Sequence, residues 1–299
     1  MDYRNVTVAG GGVLGSQIAF QTAFKGFHVT VYDVSDVALE SAKDRIKNLK
    51  PRYQESFGVP QDQVDAAYER MQFYTDLAKA VADADLVIEA VPEVADIKMD
   101  FYKTLGPLAP AKTVFATNSS TMLPSQFADA TGRPEKFLAL HFANEIWIHN
   151  TAEIMKHPET DMQVFQDVID FARAIGMVPL PLYKEQPGYI LNSLLVPFLE
   201  AAQMLWVNEV ADVETIDKTW MIATGAPEGP FAILDTVGIR TAYNIAAGKA
   251  NATGSADYKK LAERLQTELI AKGKLGRESG EGFYRYPNPA FEQPDFLKG

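Results

Sequence analysis

Residues 6–19 read VTVAGGGVLGSQIA, and this stretch decides the fold. An apolar run, VTVAG (6–10), has the look of a buried strand. SQIAFQTAFKG (16–26) follows with apolar residues at helical spacing and stops at Gly26. Between them Gly10, Gly12 and Gly15 spell G-x-G-x-x-G. Alone that pattern is weak, but a strand before it and a helix after it make it specific. Gly10 permits a tight turn, Gly12 lets the backbone approach a pyrophosphate, and Gly15 lets helix and strand pack closely. The helix start offers N–H groups and partial positive charge to phosphates, and Val13 and Leu14 in the turn before it are candidate cofactor contacts. The plainer alternative is an ordinary glycine-rich turn.

The next strand bears on that choice. HVTVYD (28–33) ends on Asp33, eighteen positions after Gly15. An acid about 20 residues beyond the glycines accepts from the adenosine ribose 2′-hydroxyl. The same carboxylate repels a 2′-phosphate, and no Arg or Lys follows directly in DVSDVALE, so the reading is NAD rather than NADP. A solvated acid at a strand end is the alternative.

Farther out, short apolar runs alternate with helical patterns as far as residue 183. Strands are expected at MQFYTD (71–76), DLVIEAV (85–91), TVFATN (113–118), FLALHF (137–142), TAEIM (151–155) and MVPLPLY (177–183), and helices at 36–50 and 61–70. Such alternation implies βαβ units and a mostly parallel sheet. After Pro187-Gly188 the chain reads mainly as helices through 273. The expected architecture is α/β: a doubly wound Rossmann domain over residues 1–185 and an all-α domain over 186–299. The last stretch, YPNPAFEQPDFLKG, reads as an irregular tail.

Composition excludes several classes. The 299 residues carry a formal charge of −11, which disfavours nucleic acid as a partner. There is no cysteine, so thiolate nucleophiles, disulfides and Cys-ligated zinc are out, and a reducing cytoplasm is the expected location. No apolar stretch approaches the roughly 18–20 residues of a membrane span. MDYRNVTVAGGG at the start reads as a strand used at once, not a signal peptide. The histidines His141, His149 and His157 lack metal-ligand spacing, so no metal is expected, and the last two read as surface or rim groups.

In an open parallel sheet, ligands bind beyond the carboxyl ends of the strands. Glu89, Glu93, Asn118 to Ser120 and His141 fall at such ends. A hydroxyl–carbonyl oxidoreduction needs a proton acceptor beside the carbon that exchanges hydride, and histidine titrates near neutrality. Glu153, twelve residues after His141, can orient the ring if its strand lies alongside. Taken alone, a histidine at a strand end can equally be a satisfied core residue.

The glycine loop, VIEAVPE, TNSS, HF..N, the glutamate twelve after the histidine, PGYILNSLLVPFL, TGAPEGPFAILDTVG and SGEGFY occur in an order that resembles one family along nearly the whole chain. This is the short-chain-length 3-hydroxyacyl-CoA dehydrogenase family, which also contains L-gulonate 3-dehydrogenase (lambda-crystallin) and the diketoreductases. The resemblance implies His141 as base, Glu153 as its partner, and Ser120 and Asn192 as the groups that hold the substrate oxygen. It implies cofactor or substrate contacts for Glu93, Lys98, Asn118 and Asn144, and a homodimer built through the helical domain. Two departures stand out. HFFNP in the family is HFANEIW here, with Ala143 for an aromatic and Glu145 for a proline beside the acyl pocket, a variant most like the diketoreductases. Glu278 stands where a basic cofactor contact often precedes the final glycine motif.

Lys43, Arg45, Lys47, Lys50 and Arg52 form a basic run, and Lys43, Lys47 and Lys50 share one helix face. In the family this region lies near the CoA adenosine phosphates, so Lys43 and Lys47 are candidate substrate contacts; a solvated face is the alternative. The expected function is interconversion of a 3-hydroxyacyl substrate and its 3-keto form with NAD. The same machinery would serve a 3,5-diketo ester or L-gulonate, and a non-catalytic dinucleotide-binding protein is the reading from another class.

Overall fold

The computed structural model describes residues 2–298. The chain divides into two compact units, Met1–Ile190 and Leu191–Gly299. In the first, the order is β1 (Asn5–Ala9), α1 (Val13–Phe24), β2 (His28–Tyr32), α2 (Asp36–Phe57), α3 (Gln61–Glu69), β3 (Met71–Tyr74), α4 (Leu77–Val81), β4 (Leu86–Glu89), α5 (Ala95–Leu108), β5 (Val114–Thr117), β6 (Phe137–Phe142), β7 (Thr151–Met155), α6 (Met162–Ala174) and β8 (Val178–Leu182). α7 (Tyr189–Val207) opens at the division, and α8 (Val213–Thr224), α9 (Pro230–Val237), α10 (Ile239–Thr253) and α11 (Ala256–Glu268) follow.

One eight-stranded sheet runs β3-β2-β1-β4-β5-β6-β7-β8. Each neighbouring pair is parallel except β6 and β7, which are antiparallel. The strand order reverses between β1 and β4, the point at which an open α/β sheet leaves a crevice beyond its carboxyl ends. The central strands are covered on both faces: Val8, Ile88, Ala116 and Leu138 are buried on one face, and Val87, Phe115 and Ala139 on the other. This is why those strands read as apolar runs rather than as alternations.

The sequence pattern stops the second helix at residue 50, before Pro51. The structure carries α2 through Pro51 to Phe57 and ends it at Gly58, in a left-handed conformation. A proline costs an interior helix a hydrogen bond and a steric clash. Packing of the last turns offsets that cost. The fully buried Tyr53 ring meets Phe20, Phe24 and Trp147 at 4.8, 5.1 and 5.3 Å, and its hydroxyl donates to Gln21.

The expectation that no apolar stretch approaches the length of a membrane span also needs correction. α7 is 19 residues long with a mean hydropathy of 1.5, long and apolar enough to cross a membrane by length and composition. Asn192, Glu200 and Gln203 punctuate it without lowering the average enough to matter. Ile190, Leu191, Leu194 and Leu205 are exposed along it.

The second unit has its own core of Trp206, Phe231, Leu265 and Tyr284, to which the tail residues Phe291 and Phe296 contribute. Two buried carboxylates tie it together. Asp217 accepts from Phe231 N–H, Ala232 N–H and the Tyr284 hydroxyl, and so satisfies the start of α9, which has no side-chain cap of its own. Asp235 accepts from Phe283 N–H, Tyr284 N–H and the Tyr286 hydroxyl. Burial outweighs these donors, pushing the Asp217 carboxyl up to about 6 and raising that of Asp235.

Candidate active site

The glycine turn lies at the strand-order reversal and is built around backbone contacts. A Cβ on Gly10 would meet the Ala90 carbonyl oxygen at 2.4 Å, and one on Gly15 the Gly10 oxygen at 1.9 Å. A Cβ on Gly12 would meet nothing within 4 Å. Gly10 and Gly15 are therefore glycines because protein crowds them, whereas Gly12 borders open space suited to a pyrophosphate. No side chain caps α1 at Gly12, and Val13 is exposed at its first position. Asp33 is held by Gly11 N–H and Val34 N–H, both at 2.8 Å. A carboxylate has acceptor capacity beyond those two bonds. These residues fit a nicotinamide–adenine dinucleotide.

Beyond β4 and β5 lies a buried polar network. Glu89 is fully buried and accepts from Lys98 Nζ, the Tyr102 and Thr117 hydroxyls, and Val91 N–H. Lys98, also buried, reaches Glu93 at 3.2 Å. Glu93 Oε1 in turn accepts from Ser119 Oγ, Ser120 N–H at 3.0 Å, and Thr121 N–H and hydroxyl. Burial pushes the Glu93 carboxyl upward, but the Ser119 hydroxyl and the Lys98 charge outweigh it and hold the acid below its usual range. Glu89 thus lies beneath the rim instead of on it. Glu93 spends its Oε1 on the turn that carries Ser120, and Lys98 spends its ammonium on Glu89, Glu93 and the Val91 oxygen.

Asn118 Oδ1 accepts from Phe142 N–H and joins the ends of β5 and β6. On β6, His141 is the direct register partner of Glu153 on β7. Antiparallel pairing puts the two side chains on one face, within reach of each other. His141 Nδ1 lies 3.2 Å from Glu153 Oε2, and Glu153 Oε1 accepts from Ile190 N–H at 2.9 Å. A carboxylate can only accept, so Nδ1 carries the hydrogen and Nε2 keeps a lone pair. Ser120 is half-buried, Asn144 is exposed beyond β6, and Asn192 lies on α7 in the second unit.

The residues of the basic run have different surroundings on the two faces of α2. Lys43 pairs with Glu40 at 2.7 Å and lies over the Phe73 ring; Lys47 pairs with Asp44 at 3.5 Å. Lys50 bonds Asp65 and lies over Tyr68. A cavity of about 250 Å³ beside the glycine turn is lined instead by Val13, Gln17, Arg45, Asn48 and Arg52. At about 100° per residue, positions 45, 48 and 52 occupy a different face of α2 from 43, 47 and 50. Lys43 and Lys47 do not line this cavity. Arg52 also lies 3.8 Å from Glu145, one of the departing residues after His141.

His157 is a further correction. It is buried, not on the surface, with Nε2 2.9 Å from the Pro134 oxygen, and is a satisfied core histidine. His149 is exposed. No cluster of metal-ligating side chains occurs among the described residues. Pattern reading missed Tyr189, whose ring stacks on His141 at 4.7 Å. The only local signal was the Pro187-Gly188 break just before it.

Comparison with known proteins agrees with this architecture. The NAD binding domain of 3-hydroxyacyl-CoA dehydrogenase matches residues 5–186, and the C-terminal domain of the same family matches residues 188–286. Human mitochondrial hydroxyacyl-coenzyme A dehydrogenase is 34% identical over 288 residues, 95% of this chain and 91% of that protein. A probable 3-hydroxybutyryl-CoA dehydrogenase of Bacillus subtilis is 30% identical, with 96% of this chain and 98% of that protein covered. A solved diketoreductase, described for dual catalysis of dicarbonyl compounds, is 56% identical and superposes with a TM-score of 0.91 over 96% of this chain and all of its own. With both domains matched and relatives aligned along nearly their full length, the chain belongs to the 3-hydroxyacyl-CoA dehydrogenase family, NAD-dependent oxidoreductases acting on a CH–OH group.

Proposed function

We propose that this protein interconverts a 3-hydroxyacyl substrate and its 3-keto form, with His141 as general acid and base. The observation that carries the reading is the direct pairing of His141 with Glu153 across β6 and β7. When bound, NAD accepts or supplies the hydride. In oxidation, His141 Nε2 removes the hydroxyl proton, and Glu153 stabilises the imidazolium that results. In reduction the imidazolium returns that proton to the carbonyl oxygen. Ser120 and Asn192 hydrogen-bond the same oxygen, where charge develops in the transition state. Asp33 selects NADH over NADPH through the ribose. A homodimer formed through the second unit, and using exposed apolar residues of α7, completes the proposal.

A second reading keeps the machinery and changes the substrate to a 3,5-diketo ester. The diketoreductase neighbour favours it, as does Glu145, which sets a carboxylate beside Arg52 near the cavity at the glycine turn. A negative charge there weakens attraction to phosphates.

The test is a panel under one cofactor: acetoacetyl-CoA, its short thioester and ester analogues, a 3,5-diketo ester, and L-gulonate run in the oxidative direction, each followed by NADH absorbance. Turnover of the acetoacetyl compounds supports the first reading, and a strong preference for the diketo ester supports the second. Activity on L-gulonate alone overturns both. No turnover with intact NADH binding makes the chain a non-catalytic dinucleotide binder.

A further inference from the structure

Tyr189 touches three parts of the site at once. It is buried, with 1% of its surface exposed. Its ring lies 4.7 Å from the His141 ring at an interplanar angle of 25°. Its hydroxyl donates to the Ser119 carbonyl oxygen at 2.6 Å. The next residue, Ile190, donates its N–H to Glu153.

The bond to Ser119 has a specific consequence. The Ser119 carbonyl and the Ser120 N–H belong to one planar peptide unit. The Ser120 N–H donates to Glu93 at 3.0 Å. The plane is therefore gripped at both ends, by a tyrosine on its oxygen and a carboxylate on its nitrogen. Fixing that plane fixes the Ser120 N–Cα bond, and the Thr121 N–H bond to the same Glu93 oxygen restrains the rotation about it that aims the Ser120 side chain.

We propose that Tyr189 is a positioning residue that locks the Ser119–Ser120 peptide and the His141 ring into a single rigid unit. The proposal rests on the reading of Ser120 as oxygen holder and His141 as base.

Two features separate this role from core filling. Tyr189 sits at φ 56°, a left-handed conformation that an aromatic residue rarely adopts, directly after Gly188 at φ 79°. Strain of this kind persists only where surrounding contacts over-determine it. The other feature is the hydroxyl, since a phenyl ring would fill the same volume and stack equally well. A buried hydroxyl is unfavourable unless bonded, and here its bond is aimed at the turn that carries Ser120. Burial, reinforced by the charges of Glu93, Glu153 and Glu89, raises the phenol further above its usual range, so it remains a donor throughout the working pH.

The test compares Tyr189→Phe, Tyr189→Leu, Ser120→Ala and the double variant Tyr189→Phe/Ser120→Ala in the full-length enzyme, with acetoacetyl-CoA and a 3,5-diketo ester. Loss of the single hydrogen bond in Tyr189→Phe should lower kcat roughly 5- to 30-fold and leave the Kd for NADH unchanged. The double variant should match Ser120→Ala within about twofold, because the hydroxyl acts through Ser120. Tyr189→Leu removes the stacked ring as well as the hydroxyl and should lower kcat further than Tyr189→Phe, again with the Kd for NADH unchanged. A Tyr189→Phe enzyme with native kcat, even one that melts earlier, overturns the proposal, as do independent, multiplicative losses in the double variant. Ser120→Ala with native turnover removes the reading of Ser120 on which the lock depends. A slow Ser120→Ala beside a native Tyr189→Phe removes the lock alone.

Discussion

His141 and Glu153 sit twelve residues apart, a distance that means nothing until the strands that carry them are known to be antiparallel neighbours. If they act as one unit, their losses should not add. His141→Ala should lower kcat by roughly 10²–10⁴, the range for a positioned acid–base group. Glu153→Gln should also lower kcat, since it removes the anion 3.2 Å from Nδ1 that orients the ring and supports the imidazolium formed in the reaction. The double variant should be little worse than His141→Ala. Independent, multiplicative losses would separate the two residues. The chemistry of these side chains was legible in the sequence. The burial of Glu89 and His157 was not, because strand ends and loops give no sign of which polar groups the core will cover.

At the scale of elements, the glycine turn makes a contrast that one stretch of sequence hides. Gly15→Ala forces a methyl group onto the Gly10 carbonyl, which is backbone and cannot swing away. It should cost on the order of 2–4 kcal/mol of stability along with NADH affinity. Gly12→Ala meets no protein atom within 4 Å and should fold with a native melting temperature while still losing NADH affinity. Equal melting and binding losses in the two variants would refute this division. Asp217, which holds the start of α9, ties stability to pH. Its folded value of about 6 exceeds the ordinary 3.8, so between those values the folded chain keeps a proton that the unfolded chain releases. Its contribution is thus present in full below the lower value and lost as pH rises through the upper one. Relative to Asp217→Asn, the native protein should gain about 2–3 kcal/mol on acidification across that window, read by urea unfolding. A pH-independent difference would mean that Asp217 stays ionised. The persistence of α2 past Pro51 belongs to the same scale: local propensity ends the helix, and Tyr53 burial carries it on.

For the whole molecule, α7 is the element whose surroundings matter most. A helix this apolar with Leu194 at 69% exposure calls for cover, and the proposed dimer supplies it. Light scattering at micromolar concentration should report twice the chain mass, and Leu194→Glu should shift it toward the monomer. A monodisperse native monomer would count against the dimer.

Along the chain, the sequence by itself determined the alternation of strands and helices, the dinucleotide turn and the acid that follows it. These are local patterns, set by side-chain periodicity and by what glycine alone allows in a turn. Only the tertiary structure decided that His141 faces Glu153, that Arg45 and Arg52 rather than Lys43 and Lys47 line the cavity at the glycine turn, and that Tyr189 spans the base and the Ser120 turn. Each depends on strand register, on rotation about a helix axis or on contacts between residues up to 70 positions apart, as between Tyr189 and Ser119. No local pattern encodes such contacts, because they are fixed only when the core closes around them.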